Sequence, residues 1–186
     1  MRKSCKAAGA PDVVYFTLEA HMDSAPVFNH AKKTTDAIVC LCDAGHHVAA
    51  VMLTYAAIDQ MSWLSIPGDM SFGKDFKVWV KKYMLVSGNL VCSEDDLWAA
   101  RNGLLHMGIA ESKDHTTGFA KNKIYYTVGN ATCTSNSSQD VVFLNVEKLI
   151  IAYLAGVLWF MEDLKSDQAQ LSIALAKIRK TLTVHG

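Results

Sequence analysis

Arg101, Asn102 and His106 stand together in the run Arg101-Asn102-Gly103-Leu104-Leu105-His106, and these residue types can do chemistry on a phosphodiester. RNA carries its own nucleophile in the 2′-hydroxyl. A base that titrates near neutrality and a fixed cation for the phosphate charge therefore suffice to cleave it, and no metal is compulsory. His106 is the candidate general base or acid and Arg101 the candidate cation. Asn102, one turn before His106, could bond one ring nitrogen and so set which nitrogen faces a substrate. The difficulty is angular, because residues five apart lie about 140° apart on a straight helix. Either the long arginine reaches round, or the helix deforms near Gly103, or the two residues serve different jobs.

These residues sit in a stretch, Ser93 to Ser112, that reads as a helix. Ser93 is a fitting N-cap, and Glu94, Asp95 and Asp96 put carboxylates at the positive end of the helix dipole. Leu97, Ala100, Leu104 and Gly108 fall on one stripe with Leu105 at its margin, and Arg101 lies in its middle. A guanidinium among leucines needs a partner. The opposite side carries His106 and Asn102 flanked by Ala99, Gly103 and Ala110, small enough for another backbone to come close. A second helix, from about His46 to Ile66 and ended by Pro67-Gly68, supplies the counterpart. Its stripe of Val48, Val51, Met52, Tyr55, Ser62, Trp63 and Ile66 has Asp59 near the centre. Two apolar stripes with one charge each, of opposite sign, predict that the helices pack and that Asp59 pairs with Arg101, with Tyr55 on the same stripe in support. The alternative places Asp59 at a wet edge.

The other elements follow from periodicity. Residues 1–29 form an extension with little helical pattern; Val13 to Phe16 could be a short strand, and Pro11 and Pro26 interrupt anything longer. A helix is predicted from about Ala31 to Cys42, broken near Gly45, and another from Lys74 to Val86 with Phe76, Val80, Tyr83 and Met84 inward and Lys74, Lys77, Lys81 and Lys82 outward. Two β-rich runs, Ile124 to Val128 and Val141 to Leu144, enclose a Ser-, Thr- and Asn-rich segment and predict a β-hairpin inserted over residues 122–145. A helix from Val146 to Leu164, apolar nearly all round over Leu149 to Met161, is either the bundle centre or part of a subunit interface. An amphipathic helix from Asp167 to Thr183 follows. The expected fold class is thus an all-α single domain over 1–186, a bundle of five to six helices with a small hairpin insertion.

Composition narrows the functions. The 18 basic and 18 acidic residues cancel, so no global field draws the chain to a polyanion and any such binding needs a local patch. Five cysteines at irregular spacing do not make a disulfide framework, and no apolar segment follows Arg2, Lys3 and Lys6 as in a secretory signal; a cytoplasmic location is expected. The Asn-X-Ser/Thr triplets at Asn130 and Asn136 then carry no meaning. Thirteen apolar residues from Leu149 to Met161 fall short of the roughly 20 that span a bilayer, so no membrane partner is expected. Cys40, Cys42, His46 and His47 could each bind a metal, but on a helix Cys40 and Cys42 point about 200° apart, so no metal site and no cofactor are expected. Phosphate-binding glycine loops, His-Glu-x-x-His and nucleophile elbows are absent from the sequence.

An Arg followed a few residues later by a His is a cheap match, and Arg179 to His185 supplies a second one. The first has context: Asn102 beside the arginine, an apolar helix around it, and a preceding helix containing Tyr55-Ala56-Ala57-Ile58-Asp59. Here the sequence resembles the HEPN superfamily of helical-bundle proteins, whose signature is an arginine, often with a polar neighbour, and a histidine four to six residues on. The resemblance covers architecture over about residues 31–183 and, as a motif, Arg101, Asn102 and His106. It implies a compact all-α domain, commonly a homodimer with the motifs facing a shared cleft. In many members it implies metal-independent RNA cleavage in antiviral defence or toxin–antitoxin systems, with a cognate antitoxin or partner protein. Other members serve as non-catalytic binding or dimerisation modules. The hairpin insertion and N-terminal extension depart from the simplest pattern and could cover or reshape the cleft.

Overall fold

In a computed structural model, residues 24–181 are described; the strand expected at Val13 to Phe16 lies outside them. Helix α1 spans Ala25–Asp43 and begins with Pro26 in its first turn. That proline was expected to interrupt a helix, but a first-turn proline sacrifices only an amide that has no intrahelical acceptor. The expected N-terminal extension is thus shorter than 29 residues, because α1 already occupies its end. Gly45, at φ +79°, turns the chain into α2, His47–Leu64. Helix α2 is buried on several sides, through Ala50, Val51, Thr54, Tyr55, Ala57, Ile58, Met61 and Leu64, because α1, α3, α4, α6 and α7 all pack on it.

Helix α3, Gly73–Trp79, continues through a π-helical turn at Val80–Met84 and a 3₁₀ turn at Leu85–Ser87. Its Phe76, Val80, Tyr83 and Met84 are buried as the periodicity requires. The basic side is tied down: Lys77 pairs with Asp95, Lys81 with Glu94 and Lys82 with Asp163. Helix α4, Glu94–Met107, is followed by the short α5, Lys113–Thr116, then by the strands β1, Lys123–Thr127, β2, Thr134–Asn136, and β3, Val141–Asn145. Helices α6, Val146–Ser166, and α7, Gln168–Ile178, complete the chain order.

Two expectations are corrected here. The molecule is mostly helical but not all-α, since the three strands form a sheet ordered β1-β3-β2. The segment over 122–145 is no simple hairpin of the two β-rich runs: β1 and β3 run parallel, Lys123 opposite Val141 and Thr127 opposite Asn145. Parallel neighbours need a crossover, and here it contains β2, which pairs antiparallel on the far side of β3. Thr134, Ser135 and Asn136 have no apolar alternation because neither face of β2 is buried, so the strand left no signal in the sequence. Ile124, Val142 and Leu144 point into the core, while Tyr125 and Phe143 pair their rings on the outer side at 6.1 Å.

Helix α6 is apolar nearly all round, yet it packs mainly on one side, leaving Ile151 and Trp159 exposed. Among the described residues no helix is long and apolar enough to cross a membrane. Lys177 of α7 is 3% exposed and donates to the carbonyls of Trp63 at 2.5 Å and Ile66 at 2.6 Å, closing the C-terminal end of α2. Burial lowers the pKa of this ammonium. Its Nζ also lies 5.0 Å from the Trp63 ring centroid, so the indole is held from one side.

Candidate functional site

The site is set by the two ends of α4. At the start, the Ser93 hydroxyl accepts from the Asp96 amide and the Asp96 carboxylate accepts from the Ser93 amide, a reciprocal cap. Asp96 also accepts from the backbone and side-chain nitrogens of Asn122, just before β1. Burial pushes the Asp96 carboxyl up, but these hydrogen bonds together outweigh it and hold the pKa below its ordinary value. The helix ends earlier than Ser112: Gly108, at φ +69°, takes the left-handed conformation and donates to the Leu104 carbonyl. Gly108 is therefore the stop and not a member of the apolar stripe.

The small-residue side of α4 is also occupied differently from expectation. A Cβ on Gly103 would meet the Ile109 carbonyl oxygen at 2.6 Å and that of Glu111 at 2.9 Å. The backbone that comes close is the chain's own, folding back after Gly108, and Ala99 is fully covered. This surface no longer argues for a second subunit.

Arg101 and Asp59 meet as predicted. Nε and Nη2 of Arg101 both donate to Oδ2 of Asp59, at 2.9 and 2.7 Å. The pair is not sealed, with side-chain exposures of 19% for Arg101 and 29% for Asp59. Burial raises the Asp59 pKa even against the opposing hydrogen bond and charge of Arg101. The stripe drawn through α2 was displaced, since Val48 and Met52 are exposed while Ile58 and Met61 are buried. Its true centre is the Ile58 side, which puts Asp59 at the margin of the packing, where solvent can still reach it.

The angular difficulty is resolved by the arginine. Helix α4 is continuous through Met107, and the Arg101 side chain reaches round until Nη1 lies 3.1 Å from Nε2 of His106. A guanidinium has no acceptor, so Nε2 carries the lone pair and the neutral ring holds its proton on Nδ1. Holding Arg101 at Asp59 and keeping it beside His106 are thus compatible: Nε and Nη2 serve the carboxylate, and Nη1 serves the imidazole.

Asn102 does something other than orient the imidazole. Its Oδ1 accepts from Nη1 of Arg101 at 3.0 Å, and its Nδ2 donates to Oδ2 of Asp114 in α5 at 2.9 Å. It positions the arginine and ties α5 to the site. Tyr55 also lies outside the cluster, because its hydroxyl bonds that of Tyr126 in β1 at 2.7 Å and is fully buried. It joins α2 to the sheet and does not support Arg101.

Four of the five guanidinium N–H donors are directed at these partners, which leaves one N–H on Nη2 outside this set. His106 itself is exposed. Beside Arg101 opens a cleft of about 320 Å³ between α2, α4 and the approach to α3, walled by Trp63, Phe72 and Trp98. The guanidinium carbon lies 5.2 Å from the Trp98 ring centroid. Of these, Trp63 was expected on the apolar stripe of α2, whereas neither Phe72 nor Trp98 was expected at the site. Trp98 had a signal, since it precedes Arg101 by three positions and therefore shares its side of the helix. Phe72 had none, because only the turn after α2 brings it there.

Among the described residues no group of three or more His, Cys, Asp or Glu side chains could hold a metal ion. In the candidate cysteine and histidine run, Cys42 approaches His47 at 3.9 Å, and Cys40 is exposed. No family model matches the chain, and neither a curated protein nor a solved structure matches it.

Proposed function

We propose that this protein is a metal-independent endoribonuclease of the HEPN type, working as a homodimer in a defence or toxin–antitoxin setting. The observation that carries the reading is the 3.1 Å approach of Arg101 Nη1 to Nε2 of the exposed His106, with Asp59 holding the other edge of the guanidinium. In the reaction His106 Nε2 takes the proton of the 2′-hydroxyl and the 2′-oxygen bonds to phosphorus. The phosphorus–5′-oxygen bond then breaks, and the leaving oxygen takes a proton from water. Arg101 exchanges its bond to His106 for one to a phosphate oxygen and stabilises the charge that builds there. Asn102 and Asp59 keep the guanidinium in place throughout. Ile151 and Trp159, left exposed on α6, are the apolar surface through which two copies would meet.

The test is cleavage of single-stranded RNA in EDTA. The products should end in a 2′,3′-cyclic phosphate, DNA should stay intact for want of the 2′-hydroxyl, and His106→Ala should cut at least about 10²-fold more slowly while melting like the parent. Activity that survives His106→Ala, or that requires a divalent metal, would overturn this mechanism.

A second reading is favoured by one observation: Asp59, Asn102 and His106 already engage most of the Arg101 donors. In that reading the arginine is a structural tie and the molecule is a non-catalytic dimeric binding module. Folded, dimeric protein that binds RNA and never cuts it would support this alternative.

A further inference from the structure

Phe72 stands at the N-cap of α3 with an extended backbone and is 57% exposed. Ser, Thr, Asp or Asn would stabilise that position, and Phe contributes no capping oxygen. Its own amide donates to the Asp75 carboxylate and its carbonyl accepts from the Asp75 and Phe76 amides, so the helix begins with no hydrogen bond from the Phe72 side chain. The next residue explains where the ring stands. A Cβ on Gly73 would come within 2.7 Å of Cε2 and Cζ2 of Trp98, so only glycine lets the start of α3 lie against the indole. Phe72 and Trp98 thus become walls of one cleft, with Arg101 beside them and Trp63 held at the far side by Lys177. The polar groups in the wall can serve a ligand. Asp59 uses only Oδ2 for Arg101, which leaves Oδ1 as an acceptor, Gln60 uses Oε1 for His30 and keeps its amide as a donor, and Ser71 adds a hydroxyl.

We propose that this cleft is a nucleobase subsite: it takes one base next to the phosphate held by Arg101, stacked on the exposed Phe72 ring, with Trp98 backing the guanidinium, and bonded along its edge by Asp59 and Gln60. A cleft of about 320 Å³ is at the small end of ligand sites and suits one nucleotide, not a helix. Stacking on aromatic rings and guanidinium planes is how proteins hold unstacked bases of single-stranded RNA. The proposal rests on the ribonuclease reading for its substrate class, but it concerns binding and can be measured without turnover.

The experiment uses the full chain and compares adenosine 5′-monophosphate with ribose 5-phosphate, which has the phosphate and no base, by calorimetry and by quenching of tryptophan fluorescence. The nucleotide should bind at least tenfold more tightly than the sugar phosphate. Phe72→Ala should erase about that factor for the nucleotide and leave the sugar phosphate unchanged. Arg101→Lys should weaken both, because it loses the planar donor set. Equal binding of the two compounds, no binding of either, or a Phe72→Ala variant that binds the nucleotide like the parent each overturns the subsite. If RNA is never cut yet base-dependent binding through Phe72 is found, the subsite stands and the catalytic reading falls. If RNA is cut at the parental rate and affinity by Phe72→Ala, the subsite falls and the catalytic reading stands.

Discussion

The two ends of α4 each carry a cluster of charge, and they are built in opposite ways. At the N-terminal end Asp96 is 1% exposed and receives backbone amides from Ser93 and Asn122, donors that belong to fixed elements and cannot turn to anything else. In the C-terminal half Arg101 is shared among the side chains of Asp59, Asn102 and His106, partners that can rotate as backbone donors cannot. The carboxyl pKa values shift in opposite directions for the same reason. Burial acts on both, but hydrogen bonds overcome it at Asp96 and fail to overcome it at Asp59. A charge enclosed by backbone donors is fixed by the fold, whereas a charge held by side chains at the solvent boundary keeps partners that can move.

Asp96→Ala should break the comparison most severely. It removes the Asp96 half of the reciprocal cap of α4, worth about 1 kcal/mol, and leaves the half-buried Asn122 amide without its acceptor, worth about 2 kcal/mol more, so denaturant unfolding should show a loss of about 3 kcal/mol. Asp59→Ala should cost less, about 2 kcal/mol, between the value for a buried pair and that for an exposed one, because both partners retain some solvent. If the Asp59 variant were the less stable of the two, the assignment of Asp96 as the anchor would be wrong.

The same pair can be separated by pH. The Asp96 pKa is depressed in the fold, so its stabilisation is present above the unfolded value of about 4 and is lost as pH falls through the folded one. The Asp59 pKa is raised, so stability falls as pH climbs from about 4 through its folded value, and is regained on acidification. Unfolding free energies of the parent, Asp96→Asn and Asp59→Asn, measured from weakly acidic pH down to about 3, should therefore diverge from the parent with opposite slopes. Slopes of one sign would mean that hydrogen bonding and burial are balanced alike at the two ends.

The smallest effect concerns Gly103, inside the second cluster. Gly103→Ala gains about 1 kcal/mol of helix propensity but drives a methyl into the carbonyls of Ile109 and Glu111, an overpacking cost of about 2 kcal/mol. A net loss near 1 kcal/mol is expected from thermal melting. A stabilised variant would show that the 109–111 backbone does not rest on α4.

Much of this was legible in the chain itself, because it depends on neighbours in sequence. Ser93 and Asp96 announce a helix start through their spacing, Phe76, Val80, Tyr83 and Met84 announce a buried side through their period, and one misplaced charge on each of two apolar stripes was enough to pair Asp59 with Arg101. Periodicity reports which side of an element is apolar, however, and never what comes to cover it. Only the tertiary structure decided that the small side chains around Gly103 receive this chain's own backbone, that β1 lies parallel to β3, and that Phe72 and Trp98 line one cleft. The reach of Arg101 to His106 belongs with these, since a helical wheel assigns an angle to each Cβ while a guanidinium several bonds farther out goes where its hydrogen-bond partners hold it.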